Sequence, residues 1–545
     1  MATTARTIAS TAQIERHDTD SARLYARLNE RIMARDQVGA SEVYYDLVRA
    51  GRPLTEILSE AVRIHAPYTH VPYHERIDDG YPNFVNNDHC LLSARASLDL
   101  AKLMPEHLSM LPMAQTIWYI PTGLDIWNQK LNLAPGHYTR GMRGTSTNPP
   151  APVAYWPDQE PIRDDAPLKE RLGNWLTLVH RGQVIDAYRT FLGLMEDKAN
   201  RKQVLAELVF AGMIDVQDRM LYNRSYTTGH KGYRARATVE LGNAIGWDNP
   251  MAHHVIYAGA LDLAVGPRWY SNYEMACNAV KMFIEGKVLH AVPYSGVSER
   301  ELAMLGNTGT IDHAEQEELI DALLRQPEPA YVERLSALLK AGKDPRRIAD
   351  VLQLAAAQIV LETRDANNFS MPMHCYEYCN NLGWFYDTFD HPRRLRLLYV
   401  AGAFLNCTAW HQKDIGDLTP AMIRAPGGAD RLSASQLLGR IETTVCALNG
   451  PESVSWTQAY LEQAADRAPL VQRIALAAAR LGNDTHNQEI AQCMLEDFAS
   501  NRSPDRERLL LAAAYHTAAH RKYGDAMEPS RRFGQALGIT ELAQG

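Results

Sequence analysis

The sequence predicts an all-α protein. Apolar residues recur at three- and four-residue spacing, the period of an amphipathic helix, and alternating strand-like runs with hairpin turns are scarce. A histidine in a similar context also recurs about every 140 residues, since His230 follows His89 by 141 residues and His374 follows His230 by 144. Repetition on this scale predicts three to four divergent helical repeats, curved or closed around a central cavity.

Each predicted unit has an apolar helical segment on either side of its histidine. The upstream segments are 57–62, 204–209 and 348–353, which start 32, 26 and 26 residues before the histidines. Each downstream segment is centred on a tyrosine, and these are Tyr119, Tyr257 and Tyr399. A fourth, weaker copy can be proposed around His486, with Tyr515 in its downstream segment.

Proline- and glycine-rich stretches divide the chain between these units. They lie at 147–161, 326–330 and 424–430, where such residues interrupt helices. We therefore expect an N-terminal extension at 1–40, helical repeats at 41–146, 162–325 and 331–423, and a C-terminal helical region at 431–545 that would hold the fourth copy. The alternative is that these stretches are ordinary interhelical loops.

Composition and charge exclude several classes of protein. The chain has 545 residues, of which 46% are hydrophobic and 22% charged, as in folded globular proteins. Its net charge of −8 argues against nucleic-acid binding, and no apolar run is long enough for a membrane helix. Seven cysteines without a CxxC pair favour a reducing compartment. We expect a cytoplasmic protein without a secretory leader, acting on a small molecule, with a homodimer left open.

The recurrent histidines are the first candidates for chemistry. His89, His230 and His374 are each predicted at the start of a helix, where the positive end of the helix dipole favours the neutral imidazole. Neutral imidazole is a common ligand of transition metals and a general base. Further histidines cluster nearby, and the candidate metal ligands are His74, His89, His230, His254 and His374. The alternative is that these histidines only cap helices.

Other side chains suggest a small-molecule site. The three histidines, together with Tyr119, Tyr257 and Tyr399, are the candidate catalytic residues. The candidate substrate-binding residues are Arg95, Arg236, His65 and His70, since arginine binds carboxylates in a bidentate manner. Alternatively, the arginines form ion pairs within the array. Neither GxGxxG nor GxxxxGK[ST] is present, so NADPH would enter only as a co-substrate.

Loop–histidine–helix units with histidine- and tyrosine-rich loops resemble the questin oxidase-like family. The residues that carry this resemblance are His65 to His74, Asn87 to His89, and His253, His254 and Tyr257. The resemblance covers about residues 40 to 410 and is one of pattern. It implies oxygen-dependent oxidation of an aromatic, polyketide-like substrate, by Baeyer–Villiger or ring-cleaving chemistry. That chemistry normally uses flavin or metal, and this sequence contains no flavin-binding motif.

Two hypotheses follow. In the first, the chain is an oxidoreductase or oxygenase that acts on an apolar or aromatic molecule in a cavity lined by histidine and tyrosine, with bound iron or another transition metal left open. In the second, it is a helical scaffold or ligand-binding protein without catalysis. The two differ in whether the histidines meet: a closed array brings them within about 10 Å of a common centre, whereas an open solenoid keeps them far apart.

Overall fold

The computed structural model describes residues 20–34, 36–69, 77–78, 81–82, 89–125, 159–216, 228–264, 270–287, 296–482, 485–522 and 524–543. These residues are overwhelmingly helical, which confirms the predicted all-α class. The described strands are β1 (Ile77–Asp78) and β2 (Tyr81–Pro82), which form one antiparallel pair with Ile77 opposite Pro82. None of the described helices is long and apolar enough to cross a membrane.

The helices of the N-terminal half are α1 (20–33), α2 (Gln37–Arg49), α3 (Leu54–Thr69), α4 (Cys90–Ala101), α5 (Leu111–Asp125), α6 (Leu168–His180), α7 (Val184–Met195), α8 (Arg201–Met213), α9 (His230–Ile245), α10 (Ala252–Leu261) and α11 (Ser271–Ala279). Helix α11 continues into a π-helical turn, Val280–Ile284. Single 3₁₀ turns lie at Glu106–Leu108 and Asp262–Ala264.

The helices of the C-terminal half are α12 (Glu299–Met304), α13 (His313–Leu324), α14 (Ala330–Lys340), α15 (Pro345–Glu362), α16 (Ser370–Thr388), α17 (Arg394–Asp414), α18 (Ala434–Cys446), α19 (Gly450–Gln463), α20 (Ala468–Arg480), α21 (Thr485–Ser500), α22 (Glu507–Ala519), α23 (Glu528–Leu537) and α24 (Thr540–Ala543). Single 3₁₀ turns lie at Ala366–Asn368 and Ala429–Arg431.

Helix α15 shows how local sequence sets these elements. Asp344 precedes it and accepts a hydrogen bond from the backbone N–H of Arg346, and Pro345 occupies the first helical position, where no N–H is needed. The helix interior is rich in alanine and leucine, which favour helix. Almost every residue of α15 is buried, so tertiary packing on all sides reinforces its helical propensity.

Four helices form a ring at the centre of the protein. Helix α4 packs against α9, α9 against α16, α16 against α21, and α21 against α4. We call α4, α9, α16 and α21 the central bundle. Its members are the helices that carry His89, His230, His374 and His486 at or near their first residues.

Each helix of the central bundle packs against the helix before it and the helix after it in the chain. The flanking pairs are α3 and α5 around α4, α8 and α10 around α9, α15 and α17 around α16, and α20 and α22 around α21. The upstream apolar segments of the sequence lie in α3, α8, α15 and α20, and the tyrosine-containing segments lie in α5, α10, α17 and α22. Each helix of the central bundle is therefore the middle member of a three-helix group, and the four groups are similar. The repeat boundaries stay a prediction.

The starts of the histidine helices differ in detail from expectation. His89 occupies the N-cap position of α4, where its side chain makes no capping hydrogen bond, and His230 is the first residue of α9, so both lie close to the predicted positions. Helix α16 begins at Ser370, four residues before His374, so His374 lies one turn inside the helix. Pro372 is compatible with this earlier start because it falls in the first turn, where backbone N–H groups have no partner in the helix.

The backbones of helices α8 and α9 lie in contact with each other. We therefore expect the stability of the protein to depend strongly on the size of the side chain at this contact. A Cβ atom on Gly212 would lie 2.7 Å from the backbone of Lys231 and Gly232, next to His230. We expect Gly212→Ala to lower the free energy of unfolding by about 1–3 kcal/mol because one backbone must shift. Urea denaturation measures this change.

Gly173→Ala is the matched control for Gly212→Ala. Gly173 lies in helix α6, and a Cβ atom there would meet nothing within 4 Å. Alanine should therefore stabilise the protein by about 0.5–1 kcal/mol through its higher helix propensity. Equal stability of the two variants would contradict a tight contact between α8 and α9.

Candidate metal centre

Four histidines converge at one end of the central bundle. A single ring nitrogen from each of His89, His230, His374 and His486 lies within 4.8 Å of the corresponding atom of every other. The first three are buried and His486 is partly buried. Neighbouring rings around the cluster have centroids 4.6 to 5.3 Å apart, in the same cyclic order as the helices. The three recurrent histidines of the sequence therefore meet, as the closed arrangement requires.

The spacing of these nitrogens suits a metal ion. His89 Nε2 and His230 Nε2 are 3.4 Å apart. Two imidazole nitrogens that bind one tetrahedral ion at about 2.05 Å are themselves about 3.4 Å apart. The largest separations allowed by the 4.8 Å limit need a closure of about 1.4 Å to reach such geometry.

Backbone and hydroxyl groups orient two of the imidazoles. His374 Nδ1 lies 2.5 Å from the carbonyl oxygen of Ser370. A carbonyl can only accept, so Nδ1 carries the proton and Nε2 carries the lone pair. His230 Nδ1 lies 3.0 Å from the hydroxyl of Thr228. Outer partners of this kind are typical of metal-binding histidines, whose tautomer they fix.

Burial also keeps His230 in the metal-binding protonation state. The pKa of His230 lies well below its usual value, first because burial disfavours the imidazolium and then because His374 and His89 are adjacent. A neutral imidazole with a lone pair is the form that binds transition metals. His230 is therefore ready to bind a cation.

The four helices run parallel, since residues at equal distances from their histidines meet. Arg236 and Asn380 each lie six residues after a histidine, and Arg236 donates a hydrogen bond to Asn380 at 2.7 Å. Arg95, also six residues on, contacts Cys493 Sγ, seven residues on, at 3.4 Å. All four helix N-termini, with their partial positive charge, therefore face the imidazoles.

Two buried glutamates lie in sequence halfway between a histidine of the cluster and the polar residue six positions after it, which is Asn380 on α16 and Gln492 on α21. Glu377 and Glu489 each follow a histidine by three residues, on α16 and α21. Their exposed fractions are 2% and 0%. Their carboxylate oxygens accept no hydrogen bond from any donor in the described part of the chain. Burial and the charge of Glu489 raise the pKa of Glu377 well above its ordinary value.

The predicted substrate-binding arginines lie deeper in the bundle, in ion pairs. Arg236 binds Glu240 at 3.2 Å and Glu496 at 2.6 Å, and its guanidinium stacks over Trp384. Arg95 lies 3.7 Å from Glu240. Both guanidinium groups are only 1% exposed. This geometry matches the ion-pair alternative, and the substrate-binding role of the arginines stays a prediction.

A pH-dependent stability is expected from Asp497, which lies beside this network. Burial, with the charge of Glu496, raises the pKa of Asp497 to about 7, above about 3.9 in an unfolded chain. The folded state thus holds a proton that the unfolded state has lost, so this contribution to stability falls as pH rises from about 4 to about 7.

Asp497→Asn tests this assignment. Asp497 accepts hydrogen bonds from Gln353, Asn380 and Tyr376, and asparagine keeps the shape and one acceptor oxygen. Chemical denaturation of both proteins between pH 4 and pH 8 should give a difference in unfolding free energy that shifts in favour of the variant as pH rises. A difference independent of pH would show that Asp497 is ionised throughout.

The tyrosines of the sequence prediction have different surroundings. The ring of Tyr119 lies edge-on to His89, with centroids 6.3 Å apart. Tyr257 packs edge-on against Tyr188, and Tyr399 is hydrogen-bonded to Ser336 between α14 and α17. The structure thus brings Tyr119 to the imidazoles and gives the other two contacts with outer helices.

The remaining predicted histidines lie outside the cluster or outside the described residues. His254, in α10, is half-buried with its ring 6.0 Å from that of His253, and it is not one of the four that meet. His65 lies in α3, but its side chain is outside the described part of the structure, as are His70 and His74 altogether.

Sequence reasoning did not include His486 among the ligands. The signal was present, because His486 is the histidine of the fourth copy and has Gln492 six residues after it. Glu377 and Glu489 were also missed. A search for the order Glu-x-x-His does not find them, because both sites have the reverse order, His-x-x-Glu.

Another group of potential ligands lies at the surface. His313, Glu317 and Asp505 have atoms close enough to hold an ion. His313 is hydrogen-bonded to Asp505 at 3.0 Å and its side chain is 69% exposed. Exposed groups of this kind form ion pairs without a metal, so His313 serves below as a control.

Comparison of this chain with known protein families, with characterised proteins and with solved structures finds no match.

Proposed function

We propose that this protein is a metal-dependent oxidoreductase whose metal ion is bound by His89, His230, His374 and His486. The convergence of these four imidazoles within 4.8 Å carries the proposal. A helix cap needs a single histidine at its own helix, whereas here four separate helices deliver imidazoles to one point. A single cation would be bound by all four nitrogens at once.

The donor set indicates the class of metal. Imidazole suits iron, copper, nickel and zinc, whereas magnesium and calcium prefer oxygen donors. Among these metals iron and copper supply redox chemistry, and we propose iron. Four nitrogen ligands leave coordination positions open on an ion that takes six, so a small molecule such as oxygen has room to bind.

The substrate class comes from the surroundings and from the family resemblance. Tyr119 stands edge-on to His89, and aromatic side chains favour apolar, planar ligands. We propose oxygen-dependent oxidation of an aromatic, polyketide-like molecule. In such a monooxygenation, one atom of O₂ enters the substrate and the other leaves as water, while NADPH and a proton supply the hydride and the hydrogen that balance the reaction.

Metal analysis tests the proposal directly. Protein purified without chelator should contain at least about one equivalent of iron per chain, and a chelator should remove this iron. Oxygen uptake with NADPH and an aromatic substrate such as an anthraquinone should require the metal and return when Fe²⁺ is added back. His313→Ala, at the surface group, should change neither metal content nor oxygen uptake.

The outcomes separate the two functional hypotheses. Protein that binds no transition metal would overturn the proposal and favour a scaffold or ligand-binding protein. Stoichiometric zinc without oxygen uptake would leave a metal site that only holds the four helices together, because zinc has no redox chemistry. Metal that is lost in His313→Ala would place the site at the surface.

A further inference from the structure

Two carboxylates lie next to the histidines in the sequence of the central bundle. Glu377 and Glu489 follow His374 and His486 by three residues, which is about 4.5 Å along a helix and 60° around it. Because side chains three apart share a helix face, each glutamate lies below its histidine on the inner side of the bundle. Since the helices are parallel, both glutamates occupy the same level.

These carboxylates are in an unusual state for buried charges. The side chains are 2% and 0% exposed, and their oxygens accept no hydrogen bond from the described residues. An unpaired buried carboxylate costs several kcal/mol. The nearby arginines are already engaged, since Arg236 binds Glu240 and Glu496. Either a proton held between the two carboxyl groups, which the raised pKa of Glu377 favours, or a cation of their own would offset this cost.

The balance of charges within the bundle also favours a cation beside the two glutamates. Its deeper part holds Arg95 and Arg236 against three carboxylates that ion-pair with them, namely Asp99, Glu240 and Glu496. Glu377 and Glu489 add two more carboxylates, and the other buried guanidinium of α9, Arg234, lies close enough to His230 to lower its pKa. A divalent ion would neutralise both carboxylates and bind their oxygens. A single proton shared between the two carboxylates would neutralise only one of the two charges.

The arrangement of ligand types fits a known principle of metal-binding bundles. Bundles that hold two metals place a glutamate and a histidine three residues apart on two helices and further ligands on the other two. Here α16 and α21 supply His374 with Glu377 and His486 with Glu489, while α4 and α9 supply one histidine each. The axial rise of about 4.5 Å is close to the separation of about 3.5–4 Å between the ions of two-metal sites.

We propose that Glu377 and Glu489 bind a second metal ion, one helical turn below the ion of the histidine cluster, so that the central bundle holds a dinuclear centre. This inference rests on the proposed function, because the histidines are its other ligands. Mixed imidazole and carboxylate ligation suits iron and manganese. The two carboxylates also balance the charge of ions that neutral imidazoles alone leave uncompensated.

Anaerobic loading of the metal-free, full-length protein with Fe²⁺ tests the inference by stoichiometry. The wild type should bind two ions per chain, and the Glu377→Gln/Glu489→Gln double variant should bind one. After oxidation in air, the wild type should show a coupled, EPR-silent ferric pair. The double variant should show the signal of isolated high-spin ferric iron. Glu362→Gln changes a buried glutamate of α15 and should bind two ions.

The results distinguish this inference from the proposed function. No iron in the wild type would overturn both. One ion in both the wild type and the double variant would overturn the dinuclear centre alone, and so would two ions in both. Because glutamine is isosteric and removes buried charge, the double variant should fold. If it does not, each single variant must lower the stoichiometry below two, or the inference fails.

Discussion

His230→Ala is expected to lower metal affinity by at least 100-fold. Nε2 of His230 lies 3.4 Å from Nε2 of His89, and the centroid of its ring lies 4.6 Å from that of His374. Loss of an outer partner of a metal-binding histidine typically costs 10–100-fold, so loss of the ligand itself should exceed that range. At a fixed excess of metal, a 100-fold weaker affinity removes about 2.7 kcal/mol of stabilisation.

Thermal unfolding with and without Fe²⁺ measures this effect under anaerobic conditions. The wild type should gain stability as metal is added, and His230→Ala should gain little. Without metal, the variant should lose only about 1–2 kcal/mol, because the described hydrogen bonds of the His230 ring are those to Thr228 and, at 3.4 Å, to His89. Thr228→Val keeps the imidazole and loses its outer partner, so we expect an intermediate affinity. Equal metal-dependent shifts in all these proteins would contradict a metal site at this cluster.

Arg236→Met is expected to destabilise the protein by about 3–5 kcal/mol. The guanidinium is 1% exposed and contacts Glu496 with two hydrogen bonds of 2.6 and 2.8 Å. Burial raises the pKa of Glu496, but the charge and hydrogen bonds of Arg236, together with Arg95 and Asn380, lower it to about 2. Methionine leaves Glu240 and Glu496 without this cation, which is the costly way to break a buried pair. Urea denaturation measures the loss.

The matched control is Arg163→Met, because Arg163 makes the same bidentate contact with Glu196 at the surface. Exposed pairs contribute little to stability, so this variant should unfold close to the wild type. Arg236→Lys should fall between, since lysine keeps the charge without the planar fork. If Arg236 instead binds substrate, Arg236→Met would raise KM with little change in stability.

Much of the fold follows from patterns that a single sequence contains. Apolar periodicity predicted the all-α class. The periodic segment 347–361 lies within α15, and the periodic segment 470–481 runs one residue past the end of α20. These segments can be predicted because each helix buries at least one face. Burial of one face places apolar residues at the helical period in the sequence. The recurrence of His89, His230 and His374 predicted which side chains meet, since a closed ring of similar units brings equivalent positions together.

The rest of the site depends on contacts that no local pattern encodes. Arg236 is paired with Glu496, 260 residues away, and nothing near Arg236 in sequence distinguishes this partner from solvent or substrate. Tyr399 occupies the position in its predicted repeat that Tyr119 occupies in the first repeat. It is nevertheless hydrogen-bonded to Ser336 on an outer helix. His486 was set aside because its upstream loop is short, although loop length does not determine where a helix end points.

The closure of the ring between α4 and α21 has a consequence for when the proposed metal ion can bind. Arg95 contacts Cys493 across 398 residues of chain, and the fourth imidazole lies on the same late helix as Cys493. A nascent chain on the ribosome lacks this helix until residue 485 and those after it have been added. The four-histidine site therefore forms only after translation has passed α21, and a metal ion that enters it arrives in a chain that already holds all four helices. Such long-range closure is slow compared with local helix formation, so metal uptake would report the last stage of folding.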